Sequence, residues 1–532
     1  MISELGDKIY LTVIKFNSWW WEVDSQRDEL ARLILTICVP SLLLVWYKWM
    51  FYYTKKSKIP LPPGPYGLPI VGYLPFFGSN VHEIFTSLAH KYGPIYSLRL
   101  GTKLHVIVNS IEYVKIVVRE QDQVFANRNS PITAVTVTYG GMDIVWSDSN
   151  PNWKNMRRIL ASQVLSNTNL NTFKSFRRLE VRKLVNEVYT KLGANININQ
   201  IAFNTSLNIV TSMLWGYTKP FYDLEEFRHV EFKIIELLGA PNLSDYIPIL
   251  SWFDLQGFNR DMKKQFKYMD QIFNTMIEEK YKVKNKRNGT FEEGEMEDTL
   301  QTLLDLKDKI GDPKTLDLIH IKALLLNIVV GATDTTSTMV EWAMAEILNS
   351  PRVMKKIQEE LREVIGMNNI VEESHLPKLT YLDAVVKETF RLHPPLPLLI
   401  QRSPHESCIV AGYSVPKETI LYINVWAIHR DPKNWENPLE FKPERFLNSK
   451  WDYNGNNLKF LPFGSGRRIC PGMAVGDKML NYILASLLHS FDWSLPKDEE
   501  LQLSDEFGIV VKKRIPLIAI PSQRLSSESL YN

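Results

Sequence analysis

One cysteine has neighbours suited to holding a thiolate. Cys470 lies in Phe463-Gly464-Ser465-Gly466-Arg467-Arg468-Ile469-Cys470-Pro471-Gly472. A thiolate needs nearby positive charge or N–H donors, and glycine lets a backbone come close to a flat ligand. Pro471 suits the first position of a helix, so Cys470 is expected just before a helix N-terminus, where the dipole lowers a thiol pKa. The plain alternative is a free buried cysteine. A second cluster, Gly331-Ala332-Thr333-Asp334-Thr335-Thr336-Ser337, sits between the apolar runs Ala323–Val330 and Met339–Met344. Hydroxyls placed there can bond back to the preceding turn and bend a helix, opening a groove able to hold a water. A helix boundary capped by Asp334 or Thr335 is the other reading. Glu388 and Arg391, spaced i,i+3, share a helix face, and Trp153 and Arg157 lie one turn apart.

Several elements must position these groups. The apolar run Met479–Leu488 predicts a buried helix behind Cys470. The helix carrying Glu388 and Arg391 ends before His393-Pro394-Pro395. Ile95–Leu100 and His105–Val108 flank Gly101-Thr102-Lys103 and predict a hairpin. Most of the remainder has helical periodicity, and the charged stretch 284–298 is expected as an exposed loop. The fold class is therefore mainly α with a small β region. Hydrophobic residues make up 45% and charged residues 23% of the 532 residues, as in ordinary globular proteins, and a net charge of +3 gives no reason to propose nucleic acid. Cys38, Cys408 and Cys470 show no C-x-x-C spacing, which supports neither a zinc site nor a disulfide framework.

The first 32 residues are mixed; Trp19-Trp20-Trp21 fits a membrane interface or a plain tail. Residues 33–53 form the apolar stretch, interrupted by Pro40 and Lys48 and about long enough to span a bilayer. Lys55, Lys56 and Lys58 follow it, and Asp24, Asp28 and Glu29 precede it. The basic end should stay cytosolic and the N-terminus lumenal. A cleaved signal peptide is disfavoured by the late start, the acidic flank and the lack of a small-residue cleavage site. Residues 54–66 are basic and then proline-rich, a stiff spacer. The expected organisation is a lumenal segment 1–32, an anchor 33–53, a hinge 54–66, one catalytic domain 67–520 and a tail 521–532.

The Cys470 loop resembles the haem-binding loop of the cytochrome P450 family, whose pattern falls on Phe463, Gly466, Arg468, Cys470 and Gly472. The helix motif of that family matches Gly331, Ala332, Asp334 and Thr335, with Ala332 where glycine is usual. Its Glu-x-x-Arg motif matches Glu388 and Arg391, its second half matches Arg445, and its Trp-x-x-x-Arg matches Trp153 and Arg157. The resemblance implies haem b with Cys470 as axial iron ligand, whose thiolate favours O–O cleavage, and Trp153, Arg157, Arg402 and Arg468 beside the haem. It implies proton delivery by Asp334 and Thr335, and a buried structural triad Glu388, Arg391 and Arg445. It implies electrons from NADPH through a separate reductase, with cytochrome b5 as a second possible donor. Lys154, Arg158, Arg467 and Lys478 would form the docking face, or else a merely solvated one. The implied location is the endoplasmic reticulum membrane, single-pass, with a cytosolic P450 domain.

Phrases such as Asn424–Pro432 and Phe507–Lys513 look like plant microsomal members, closest in appearance to a group that includes sesquiterpene oxidases of the valencene and cadinene type, with relatives that act on flavonoids. By that match the substrate pocket would draw on Ile132, Val135, Val137, Tyr139, Asn327, Ile328, Gly331, Ala332, Leu398, Leu399 and Ile509. These stretches are largely apolar, which suits a terpenoid. Thr133, Thr136, Thr138, Tyr139 and Asn327 would supply partners for a flavonoid or other phenolic. The extra methyl of Ala332 is expected to crowd the pocket. The rival activities are a reductase-independent haem-thiolate isomerase or dehydratase, which needs no proton relay, and a non-enzymatic haem- or lipid-binding protein.

Overall fold

The computed structural model describes residues 26–55, 59–78, 80–216, 224–286, 298–312, 315–447, 451–497 and 500–532. Trp19–Trp21, Lys56, Lys58 and residues 287–297 of the expected loop lie outside them. That loop is trimmed at both ends. Lys284 belongs to the helix Phe258–Lys286, and Asp298 is the buried N-cap of the helix Thr299–Ile310, accepting from Gln301 N. An N-cap side chain satisfies a backbone donor that the helix cannot, which is why a charged residue sits inside there.

The apolar N-terminal stretch is a helix, Gln26–Lys55, with Pro40 inside it. Most of its side chains from Leu33 to Lys48 are exposed; Leu42 is 67% and Val45 66% exposed. Among the described residues, the stretch long and apolar enough to cross a membrane by length and composition is a different one, Leu318–Asn349. Its Leu324, Val329, Met339 and Ala343 are fully buried, so its apolar character belongs to the core. One hydrophobic cluster joins it to the helices Pro151–Ile159, Ile198–Trp215, Leu224–Gly239, Thr380–Leu392 and Met473–Ser490.

The sheets are small and peripheral. Ile95–Leu100 pairs antiparallel with Lys103–Val108, which pairs parallel with Ile420–Ile423. The hairpin turn is Gly101-Thr102 alone, since Lys103 is already paired with Leu100. Gly101 has φ +59, and a Cβ there would lie 2.2 Å from Tyr246 O. Both the backbone angle and the close approach demand glycine. Of the remaining short pairings, Asp505–Glu506 with Lys512–Lys513 bears on the site.

Leu318–Ala332 and Asp334–Asn349 meet at Thr333, with φ −86 and ψ −66. Three hydroxyls bond back four residues here: Thr333 to Val329 O at 2.9 Å, Thr335 to Gly331 O at 2.8 Å and Thr336 to Ala332 O at 2.7 Å. Such bonds compete with the helical ladder and bend it.

Candidate active site

The cysteine loop is shaped by glycines at positive φ. Gly464 has φ +74 and Gly466 φ +71, and a Cβ on Gly466 would meet Asp122 Oδ1 at 2.6 Å and Val118 O at 2.8 Å. Cys470 N donates to Phe463 O at 3.0 Å, closing the loop. The helix behind it, Met473–Ser490, starts after Gly472 rather than at Pro471. Cys470 therefore lies two residues before the N-cap. The expected lowering of the thiol pKa does not hold for the protein alone. Burial pushes the Cys470 thiol up, and the Gly472 N–H and the Arg157 charge offset this only in part. The thiol faces the open cavity, so the shielding comes from the protein packed around the loop.

The thiol opens into a cavity whose wall includes Val137, Asn327, Gly331, Thr335, Leu399, Phe463, Arg468 and Ile509. Of the expected haem partners, Arg157, Arg402, Phe463, Arg468 and Cys470 line it; Gly466 and Gly472 shape the loop. The Trp153 ring is buried next to the cavity, with the Arg468 guanidinium 4.1 Å and that of Arg157 5.8 Å from its centre. Of the expected substrate residues, Val137, Asn327, Gly331, Leu399 and Ile509 are in the wall. Ile132, Val135, Tyr139, Ile328, Ala332 and Leu398 are outside it. The Tyr139 hydroxyl donates to Asp270 Oδ1 at 2.8 Å instead. Ala332, expected to crowd the pocket, is not in the cavity wall.

Four arginines converge on the cavity: Arg128, Arg157, Arg402 and Arg468. Arg128 has no motif around it, and the sequence offered no local signal for it. It donates to Val145 O at 2.9 Å, Ile400 O at 2.8 Å and Gln401 O at 2.7 Å. Arg468 donates to Ala126 O at 2.7 Å and Ser147 O at 2.5 Å. Arg402 donates to Asp122 Oδ1 at 3.0 Å and to Ser465 O at 2.6 Å. Burial, followed by the charges of Arg402 and Arg157, lowers Arg468 to about 9. Burial and the same crowding hold Arg128 well below the usual guanidinium range. Such a cluster calls for an anion, and arginine forks suit carboxylates. A flat apolar group carrying carboxylates, with a thiol ligand on one face, fits these residues.

Asp334 and Thr335 part company. Thr335 lines the cavity, whereas Asp334 is buried outside it and pairs with Lys512 Nζ at 2.6 Å. Burial raises the Asp334 carboxyl and Lys512 opposes that. Lys512 and Glu231, which contacts Thr333, were absent from the expected set. Glu231 had a faint signal: it falls on the apolar face of its helix, four residues after Phe227 and three before Ile234.

The charge triad holds the approach to the loop. Glu388 and Arg391 are both 0% exposed. Arg391 Nε donates to Glu388 Oε2 at 2.7 Å and Nη2 to Oε1 at 2.8 Å; Arg445 Nε and Lys442 N reach Oε1 at 3.1 and 2.8 Å. The spare guanidinium protons go to backbone carbonyls of His429, Pro438 and Glu440. The pair thus ties the segment 436–447, upstream of the cysteine loop, to the helix Thr380–Leu392.

The family model for cytochrome P450 matches residues 62–519. A geranylhydroquinone 3''-hydroxylase from Arnebia euchroma is 38% identical, over 88% of this chain and 95% of its own. A geraniol 8-hydroxylase from Swertia mussotii is 37% identical, over 91% and 98%, and a flavonoid 3',5'-hydroxylase from Campanula medium 36%, over 92% and 96%. The structure of a zebrafish cytochrome P450 with progesterone superposes with a TM-score of 0.72 at 27% identity, covering 84% of this chain and all of that one. A single family match across the domain that carries the thiol, the arginine cluster and the charge triad makes the protein a member of the cytochrome P450 family, monooxygenases that use haem b and electrons passed from NADPH by a reductase.

Proposed function

We propose that this monooxygenase hydroxylates a small lipophilic terpenoid. The observation that carries the reading is the state of the polar groups in the cavity wall. The Thr138, Thr335 and Thr336 hydroxyls all donate to backbone carbonyls one turn back. Asn327 accepts from Ile144 N at 3.0 Å and donates to Asp143 Oδ2 at 3.1 Å. Thr136 bonds Asn259 Oδ1 at 2.6 Å, away from the cavity. Few partners are left for a polyphenol, while Ile234, Ile235, Leu326, Val330 and Ile509 offer an apolar wall. With its threonine protons already spent on the backbone, this part of the wall offers a ligand mainly acceptor lone pairs and discriminates chiefly by shape and burial. The relatives named above act, by their names, on geraniol, a geranylated hydroquinone and flavonoids. The expected likeness to sesquiterpene oxidases has no counterpart among them, and a sesquiterpene is the finer form of this proposal.

Cys470 Sγ would ligate the iron, Arg128, Arg157, Arg402 and Arg468 would hold the propionates, and Phe463 and Leu399 would contact the ring. The haem supplies the oxygen activation that the protein's own side chains cannot. The side chains orient the substrate, exclude water and admit protons. Lys512 Nζ, 28% exposed, links solvent to Asp334 Oδ1, and Thr335 Oγ1, whose proton rests on Gly331 O, would present it to the cavity by rotation of the hydroxyl. Such a relay favours oxygen chemistry over the isomerase or dehydratase reading.

Two apolar surfaces support a membrane location at the endoplasmic reticulum. One is the exposed helix from Leu33 to Lys48. The other comprises Ile249, Trp252, Phe253 and Leu255, with Trp252 87% exposed. It is joined to the β-hairpin through Thr102 N and Tyr246 O at 2.9 Å. Exposed patches of this kind mark interaction sites. Exposed Lys154 and Arg158, with Arg467 partly offset by Asp122 at 3.5 Å, support a basic face for the reductase.

The test is turnover of the full chain in microsomes with a plant reductase and NADPH, against geraniol, sesquiterpene hydrocarbons and flavonoids. A hydroxylated terpenoid with little flavonoid product is expected. Flavonoid hydroxylation alone would overturn the substrate reading, and product formed without NADPH would overturn the reaction.

A further inference from the structure

Glu231 is a carboxyl group with no role in the reaction described so far. It is fully buried on the helix Leu224–Gly239, whose Ile234, Ile235 and Leu238 form part of the substrate cavity wall. Its Oε1 meets the hydroxyl of Thr333, the residue at the bend of the central helix, and its Oε2 meets no protein donor. The Thr333 hydroxyl also contacts Val329 O at 2.9 Å. A hydroxyl has one proton, and a carbonyl can only accept. Both contacts are full hydrogen bonds only if Thr333 donates to Val329 and Glu231 donates to Thr333. The charge inventory agrees. Asp334 from the central helix, Lys512 from the C-terminal hairpin and Arg228 one turn back on its own helix are the charged groups that act on Glu231. Lys512 is already paired with Asp334, and Arg228 with Glu225 at the surface.

We propose that Glu231, held as a neutral carboxylic acid, is a positioning residue that latches the cavity helix Leu224–Gly239 onto the bend at Thr333. The latch fixes one wall of the substrate cavity relative to the other. The same helix is seated at its far end by close approach, since a Cβ on Gly239 would lie 2.5 Å from Ile509 N. Ionisation of Glu231 removes the donated proton; the Thr333 hydroxyl must then leave Val329 O to donate to the carboxylate, and a second negative charge stands beside Asp334, so the latch loosens at alkaline pH. Burial pushes this carboxyl up to about 8; the Thr333 contact and the Lys512 and Arg228 charges oppose the rise, and Asp334 adds to it.

The proposal rests on the cavity reading but not on any substrate, and its test needs none. Hydrogen exchange would be followed by mass spectrometry on the haem-loaded full chain in nanodiscs, at pH 7 and pH 9, corrected for intrinsic rates. Wild type should protect the amides of residues 231–239 at pH 7 and lose about fivefold in protection at pH 9, the size of one buried hydrogen bond. Glu231→Gln, neutral and still able to donate, should stay protected at both. Thr333→Val, which leaves the acid in place, should be loosened about fivefold at both. Equal pH dependence in wild type and Glu231→Gln would overturn the proposal, as would wild-type protection in Thr333→Val. If the terpenoid assignment fails in the turnover assay, these results are unaffected.

Discussion

Glu388→Ala should separate the scaffold from the chemistry. Glu388 accepts two bonds from Arg391, one from Arg445 Nε and one from Lys442 N, all at 3.1 Å or less. Its loss leaves the Arg391 guanidinium, 0% exposed, without a counter-charge. Removing one partner of a buried ion pair costs about 3–5 kcal/mol. The carbonyls of His429, Pro438 and Glu440 still accept from Arg391, which favours the lower part of that range. Even about 3 kcal/mol lowers the ordered fraction of a segment by a factor of about a hundred. The segment concerned is 436–447, which leads to the cysteine loop, so haem retention should fail before the distal helices unfold. The assay is haem content per folded chain, from the reduced carbon monoxide difference spectrum and far-ultraviolet circular dichroism. A Glu388→Ala protein that is folded, haem-loaded and spectrally unchanged would refute the argument.

Three further outcomes follow from the same geometry. Gly466→Ala should not load haem, because its Cβ would press on the Asp122 carboxylate and on Val118 O at a φ of +71; a normal carbon monoxide spectrum would contradict this. Arg128→Gln should release haem to an apo-globin acceptor about tenfold faster or more, the size of one charge-assisted hydrogen bond. The apoprotein should be less destabilised than the holoprotein, because Arg128 crowds Arg468 and Arg402. Unchanged haem release would remove Arg128 from the propionate set. Glu231 carries a folded-state pKa raised from 4.5 to about 8. Between these values the folded chain holds a proton that the unfolded chain has lost, so stability falls as pH rises through that window and not beyond it. The melting temperature of Glu231→Gln relative to wild type should therefore rise from pH 5 to pH 8, and a constant difference would contradict the raised value.

The cysteine loop was legible because its chemistry is local. Phe463, Gly466, Arg468, Cys470 and Gly472 are bound to one another by chain connectivity, and each glycine has a backbone reason to be there. The same holds for Glu388 with Arg391, which one helical turn brings together, and for the bend at Thr333, which successive hydroxyls produce from their own turn. The mainly helical fold followed from apolar periodicity, which reports burial directly.

What spacing does not encode is which distant groups share a volume. Arg128 reaches the cavity from a loop, Glu231 meets Thr333 from about a hundred residues before it, and Lys512 meets Asp334 from nearly two hundred after it. No local pattern specifies these meetings, because they are set by how whole helices pack. The same is true of which pocket residues face inward: Val137 does and Ile132 does not, though both lie in one short helix. The direction of the Cys470 shift was also a tertiary matter. A helix N-terminus and an arginine are readable in sequence and favour a thiolate, but the desolvation that outweighs them is a property of the folded interior. The sequence alone singled out the cysteine proposed as iron ligand, the loop that carries it and the triad that supports it. Only the tertiary structure decided the arginine-lined rim, the partners of Asp334 and the engagement of the cavity hydroxyls by the backbone, since charge and solvation act through space and not along the chain.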